Sequence, residues 1–270
     1  MNVLDIKDLT VVFKNKKRRT TIVENINFEV AKGECVVVLG ESGSGKSMTM
    51  KAVTGLLDKS FDITGKATLN GDSLLDANKD KLRSIRGKKM TMILQNPMTS
   101  FDSLYRIGYQ MSETFKEHTN WSKQEIKTQS IQILDKMQIN NPEEVLSKYP
   151  HQLSGGMLQR IMIGIALALD PEVLIADEPT TAIDSITQKE IMKEFIKLKN
   201  AGVTMVFITH DLGVASLIAD RIIVMNNGKI VDIGTFKEIL DSSKDPYTKQ
   251  LVEKKRMVLN AYKKALKGGE

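Results

Sequence analysis

Gly40-Glu41-Ser42-Gly43-Ser44-Gly45-Lys46-Ser47 fits the spacing G-x-x-x-x-G-K-[ST] at every fixed position. Glycine carries no Cβ, so backbone N–H groups can turn inward around closely spaced anionic oxygens. Lys46 can reach the outer phosphates of a nucleoside triphosphate, and the Ser47 hydroxyl can ligate Mg²⁺. The flanks agree. Cys35-Val36-Val37-Val38-Leu39 reads as a buried strand. Ser47-Met48-Thr49-Met50-Lys51-Ala52-Val53 reads as the first turns of a helix, whose N-terminus favours an anion. The alternative is a Gly/Ser-rich surface loop, and the strand before and helix after argue against it.

Further along, Val173-Leu174-Ile175-Ala176-Asp177-Glu178 is an apolar strand ending in two carboxylates. Asp177 at such a strand end can hold Mg²⁺, and Glu178 can accept a proton from attacking water. Many strands end in acidic caps, so the pair gains meaning only beside an intact phosphate loop. Residues 3–13 and 21–30 read as strands, with Val11, Val12, Phe13, Ile22, Ile26 and Phe28 as apolar points. The run Lys14 to Arg19 between them could be a nucleic-acid patch, and reads better as a solvated hairpin loop. Asn70-Gly71 and Asn226-Asn227-Gly228 are hairpin signals. Thr91 to Gln95 reads as a buried strand. From Asn96 to about Ala168 helical periodicity takes over, as at Ile126, Ile131, Ile133, Leu134 and Met137. Strands return at Val173–Ala176 and Val203–Ile208, with a helix from about Gln188 to Asn200 between them. Apolar strands alternating with a helix imply a parallel sheet covered by helices.

The 270 residues suit one large domain or two small ones. Hydrophobic residues make up 41% and charged residues 27%, an ordinary globular balance. The net charge of +6 is compatible with nucleotide, nucleic acid or an anionic membrane and selects none of them. A single cysteine, Cys35, excludes an internal disulfide and a Cys-rich metal site. The three histidines are too scattered for a metal cage. The N-terminus has no basic start followed by an apolar run, so no signal peptide is expected. The longest apolar stretch, Ile161 to Leu169, is too short to span a bilayer.

At this point the chain resembles the ATP-binding cassette (ABC) ATPases. Leu153-Ser154-Gly155-Gly156-Met157 is similar to their signature motif, continued by Leu158-Gln159-Arg160. Asp177-Glu178-Pro179-Thr180-Thr181-Ala182-Ile183-Asp184 is similar to their Walker B and D-loop segment. Gln95 stands where the Q-loop glutamine belongs, and His210 in Ile208-Thr209-His210-Asp211 matches the switch histidine. The resemblance covers roughly residues 1–250, with the motifs in family order. It implies an α/β fold: a P-loop NTPase core with an N-terminal antiparallel β-subdomain and an inserted α-helical subdomain. The nucleotide-binding core would take residues 1–96 and 166–240, the helical subdomain 97–165, and a short C-terminal extension 241–270.

The resemblance also implies roles. ATP would lie on Gly40, Glu41, Ser42, Gly43, Ser44, Gly45, Lys46, Ser47 and Met48, with Phe13 stacked on adenine. Ser47, Gln95 and Asp177 would surround Mg²⁺. Glu178, His210, Lys46 and Gln95 would serve catalysis. Two cassettes would stack head to tail, so that Ser154, Gly155 and Gly156, with Asp184, act on the ATP of the facing subunit. Met157 departs from the commoner glutamine, as in a subgroup carrying Ser-Gly-Gly-Met. His118 and His151 gain no such support and read as structural or surface residues.

Gln95-Asn96-Pro97-Met98-Thr99-Ser100-Phe101, Ser154 to Arg160, and Asp245-Pro246-Tyr247-Thr248-Lys249-Gln250-Leu251 resemble the peptide and nickel importer branch. Many oligopeptide members carry cysteines after the cassette, and this chain has none after Cys35. The departure favours nickel or a metal chelate over an oligopeptide as cargo. The expected partners are two membrane permease subunits, a second ABC ATPase subunit (paralogous or identical) and an extracellular binding protein, with no nucleic acid. The Gln95 loop and the helical insert would receive a coupling helix of the permease. The expected location is the cytoplasmic face of the membrane, held peripherally. A soluble ABC ATPase of DNA repair or translation is the alternative class, and the chain lacks the long coiled-coil insert or second cassette these need. A regulatory module without turnover is a further alternative, and the presence of Glu178 and His210 argues against it. In the tail, Leu251, Val258, Leu259, Tyr262 and Leu266 share a helical face flanked by lysines. A basic amphipathic helix can lie on an anionic membrane, and a solvated or docked helix is preferred here.

Overall fold

The structure is a computed structural model and describes residues 1–15, 18–181 and 183–254. Lys16 and Lys17 of the basic loop and the tail beyond Lys254 lie outside the described residues. The chain divides into two compact units, residues 1–76 with 206–270, and residues 77–205.

The first unit opens with β1 (Asn2–Asn15), β2 (Arg18–Ala31), β3 (Cys35–Leu39), α1 (Lys46–Val53), β4 (Phe61–Leu69) and β5 (Asp72–Ser73). The second holds α2 (Lys79–Ile85), β6 (Met90–Ile93), α3 (Ile107–His118), α4 (Lys123–Lys136), α5 (Pro142–Ser147), α6 (Gly155–Ala168), β7 (Val173–Asp177) and α7 (Ser185–Asn200). Next comes β8 (Thr204–Thr209), which belongs to the first unit from Val206 onward. That unit ends with α8 (Leu212–Ile218), β9 (Arg221–Asn226), β10 (Lys229–Gly234), α9 (Phe236–Asp241) and the helical residues 246–254.

In the first unit, an antiparallel sheet runs in the order β2-β1-β4-β5. This is the expected N-terminal β-subdomain. Leu4, Ile6, Leu9 and Val11 are fully buried along β1, and the phase of the alternation changes between Ile6 and Leu9, where the pairing register shifts and Asp8 has φ 51°. The alternation expected on β2 breaks at a bulge. Leu9 pairs with Ile26 but Val11 pairs with Val23, and Asn25 between them has φ 52°. An extra residue on one strand shifts the phase of the pleat. Val23 therefore takes the core position and Ile22 is only half-buried.

The other strands of the first unit run β10-β9-β3-β8, with β3 parallel to β9 and β9 antiparallel to β10. Every residue of β3 and of β8 is buried, as a strand covered on both faces requires. Asn227 and Gly228, at φ 48° and 76°, make the expected tight turn between β9 and β10.

In the second unit, β6 and β7 pair in parallel from Met90 with Val173 to Ile93 with Ala176. The strand expected over Thr91–Gln95 is the shorter β6, and Thr91 and Met92 are only half-buried. Helix α4 begins in a capping box between Ser122 and Glu125. Its Ile133, with Met137 just beyond its end, closes on Gly164 of α6, where a Cβ would meet both side chains within 3 Å. Helix α7 starts at Ser185, with Asp184 as its cap, earlier than the expected Gln188.

Candidate functional site

The phosphate-loop residues sit between β3 and α1 in a tightly determined conformation. At Gly40, with φ 157°, a Cβ would strike the Met225 carbonyl and come 2.7 Å from Ser44 Oγ. Gly45, with φ 102°, forms the N-cap of α1. The β9–β10 turn supports the loop from below, since Gly228 N–H donates to the Ser44 carbonyl at 3.0 Å. Lys46 is 4% exposed. Its ammonium donates to the carbonyls of Gly40 at 2.8 Å and Glu41 at 2.9 Å. Ser44 Oγ is buried with no hydrogen-bond partner among the described residues.

His210 follows β8 and is exposed. With Glu41, Ser42, Asp211, Leu212, Leu251 and Lys254 it lines a cavity of about 450 Å³ beside the loop. Lys254 and Leu251 belong to the segment after the cassette, which sequence reasoning assigned no part in the site. Its Tyr247 accepts the Glu41 N–H at 2.7 Å. Phe13 lies on β1, half-exposed, with its ring 5.2 Å from that of Phe61 and tilted by 51°.

In the second unit, β7 is buried throughout and delivers Asp177 at its end, 1% exposed. Glu178 follows, 6% exposed and at φ 45°. A left-handed conformation at a side chain this long is strained by about 1–3 kcal/mol and is held only where the surroundings over-determine it. Here they do. Gln95 Nε2 donates to Glu178 Oε2 at 3.1 Å, and Thr181 Oγ1 donates to the same oxygen at 3.0 Å. Gln159 Nε2, buried on α6, donates to the Pro179 carbonyl at 2.9 Å. Thr181 and Gln159 lay inside quoted motifs without a role, and side-chain pairings of this kind leave no signal in sequence spacing.

Ser154 caps α6, accepting the Met157 N–H at 3.3 Å, so Gly155 and Gly156 supply the helix's first N–H groups. Asp184 is exposed, and its carboxylate accepts the N–H groups of Thr187 and Ile186. Those bonds, that from Thr187 above all, hold its carboxyl below the usual carboxylate range. A separate cavity of about 240 Å³ is lined by Leu94, Phe101, Gln110, Met162, Ile165 and Leu169 among others, next to the Gln95 loop. His118 is half-buried against Gly87 and His151 stacks on Tyr149, structural and surface positions as expected.

Comparison with known proteins gives a consistent picture. A family model described as ABC transporter matches residues 23–181. The metal-staphylopine import system ATP-binding protein CntD of Staphylococcus aureus is 41% identical over 269 residues, covering 99% of this chain and 98% of that protein. The dipeptide transport ATP-binding protein DppD of Haemophilus influenzae is 41% identical over 254 residues, covering 93% and 77%. Among solved structures, the dimeric post-hydrolysis state of the ATP-binding cassette MJ0796 bound to ADP and Pi superposes with a TM-score of 0.77. It is 28% identical and covers 86% of this chain and 98% of that one.

Proposed function

The chain belongs to the ABC transporter family, and from that premise we propose that it is the ATP-hydrolysing subunit of a bacterial importer of small metal chelates or short peptides. The observation that carries the hydrolytic reading is Glu178, a buried residue on strained backbone directly after Asp177, its carboxylate clamped by Gln95 and Thr181. ATP binds on Gly40 to Met48, with Lys46 on the outer phosphates and Phe13 against adenine. Glu178 takes a proton from water as its oxygen attacks the γ-phosphorus, and ADP leaves with the bridging oxygen. Gln95 orients that carboxylate, and His210 steadies the γ-phosphate. Ser154, Gly155, Gly156 and Asp184 act on the nucleotide of a facing subunit, where the first N–H groups of α6 suit an anion.

Ser47 and Asp177, with the amide oxygen of Gln95, offer the hard oxygen donors that Mg²⁺ prefers, so these residues fit the ion. When bound, Mg²⁺ neutralises charge on the phosphates.

We assign residues 1–96 and 166–240 to nucleotide binding, 97–165 to the helical subdomain and 241–270 to an extension. The partners are two permease subunits, a paralogous or identical second ATPase subunit, and an extracellular binding protein. The groove lined by Leu94, Phe101 and Met162 receives a permease helix. The similarity to importer ATP-binding proteins supports a peripheral place on the cytoplasmic face of the membrane; among the described residues no helix is long and apolar enough to cross a membrane. CntD, similar over nearly its whole length, favours a metal chelate, and DppD keeps short peptides in view. The relatives lend no support to a role in DNA repair or translation. The test is uptake in cells lacking this chain, with nickel chelates and dipeptides compared side by side. Loss of either uptake, restored by the wild-type gene and not by Glu178→Gln, is expected. Unchanged uptake of both overturns the cargo assignment.

A further inference from the structure

The Gly40–Glu41 peptide is held from both sides. Its carbonyl accepts the Lys46 ammonium at 2.8 Å. Its N–H donates to the phenol oxygen of Tyr247 at 2.7 Å, from 206 residues away. A peptide is planar, so fixing the N–H direction fixes the direction of the carbonyl on the same bond. The next carbonyl, that of Glu41, accepts Lys46 Nζ at 2.9 Å and the Ser44 N–H at 3.2 Å. The Glu41 carboxylate pairs with Lys254 at 3.1 Å. Glu41 is thus the point where the segment after the cassette meets the phosphate loop.

Tyr247 is itself built into place. Its N–H donates to Asp245 Oδ1 at 2.8 Å, and Asp232 of β10 accepts the Asp245 N–H at 3.3 Å. Thr248 and Val252, one helical turn apart in residues 246–254, are 0% and 3% exposed and seat the segment. Burial pushes the Tyr247 phenol up from its usual value, so it stays protonated and neutral at physiological pH.

We infer that Tyr247 is a positioning residue of the nucleotide site, aiming the Lys46 ammonium through the Gly40–Glu41 peptide. The inference rests on the reading of Gly40–Ser47 as an ATP site. A buried ammonium depends on its carbonyl partners, and without the phenol the peptide can rotate and carry a partner away. The Lys254–Glu41 pair is exposed on both sides and contributes little, so Tyr247 carries the effect.

The test compares full-length wild type and Tyr247→Phe for Mg·ATP affinity by calorimetry, KM and kcat for ATP, and the nucleotide-free unfolding midpoint. Tyr247→Phe removes one oxygen and keeps the ring. Its Kd and KM are expected to rise about three- to tenfold, the loss of one hydrogen bond. Its kcat and unfolding midpoint are expected to match wild type. Equal ATP affinity in wild type and Tyr247→Phe overturns the inference while leaving the ATP site intact. A fall in midpoint and kcat with unchanged KM overturns it too, because that marks a merely structural residue. Failure of wild type itself to bind ATP removes the underlying reading of the loop.

Discussion

Gln95 Nε2 lies 3.1 Å from Glu178 Oε2, and Thr181 Oγ1 donates to that same oxygen at 3.0 Å. The carboxylate is thereby locked by groups on both sides of it while its backbone sits at φ 45°. Strain of this kind persists because Asp177, Pro179 and Thr181 are each anchored around it, Pro179 by Gln159. The role of base proposed for Glu178 requires a carboxylate held in this way.

Glu178→Gln should keep ATP affinity while lowering turnover by about 10²–10⁴, the usual share of a general base. Single-turnover hydrolysis and a nucleotide-binding titration on the same protein separate the two effects. Near-normal turnover would remove Glu178 from the role.

Gln95→Ala removes one of the two bonds to Glu178 and should lower kcat about tenfold with little change in ATP affinity, as expected for a hydrogen bond to a charged group. Gln95→Glu should do worse, because it sets a second carboxylate beside the first. Equal kcat for Gln95→Ala and wild type would show that Thr181 alone fixes the base.

The elements around the phosphate loop were readable because each leaves a local mark. Glycines at positive φ, an all-apolar strand and a capped helix follow from backbone sterics and burial within a few residues. The β2 core register was not readable, since a bulge at Asn25 replaced Ile22 by Val23 and no composition signal marks it. The start of α7 is hidden because Asp184 sits in the motif that follows β7 and also caps the helix. The Tyr247–Glu41 and Gln159–Pro179 contacts join residues far apart in the chain. Only the folded backbone brings such pairs together.

Gly40→Ala and Gly43→Ala should differ sharply. At Gly40 the new methyl meets the Met225 backbone carbonyl, which cannot yield without moving β9. At Gly43, with φ 85°, the methyl meets no described atom within 4 Å. Gly43→Ala should therefore cost only backbone strain, about 1–2 kcal/mol. Gly40→Ala should cost several kcal/mol and abolish ATP binding. Urea unfolding of both variants checks the order, and equal midpoints would contradict it.

His118 sets a pH dependence of stability. Burial lowers its imidazole below 6.5, with Glu117 opposing and Lys88 and Arg83 reinforcing the shift. The unfolded chain then binds a proton that the folded chain resists, so this contribution is complete above about pH 6.5. It declines as pH falls below that value, until the folded imidazole also protonates. The capping and paired carboxylates lose their contributions only at lower pH, from about 4.5 downward. His118→Gln should therefore flatten the loss of stability between about pH 6.5 and 5. An unchanged slope in thermal melts over that window would assign it elsewhere.

Gln159 offers the sharpest test of how α6 supports the segment that carries Glu178. It is 1% exposed, its Nε2 bonds to the Pro179 carbonyl, and its Oε1 is buried with no hydrogen-bond partner among the described residues. Gln159→Met keeps the volume and removes both groups. The lost bond and the relieved orphan oxygen partly offset each other, so the cost should be about 1 kcal/mol or less. Gln159→Glu instead buries a carboxylate against a carbonyl oxygen and should cost about 3 kcal/mol or more at neutral pH. Burial raises the pKa of such a carboxyl, and once protonated it can donate to Pro179 as the amide did. The Glu variant should therefore regain stability relative to wild type as pH falls from about 8 to 5, and the Met variant should not. Because Pro179 follows Glu178 directly, Gln159→Met should also lower kcat severalfold while leaving ATP affinity unchanged. Parallel unfolding curves for the two variants at both pH values would exclude this account of the α6 anchor.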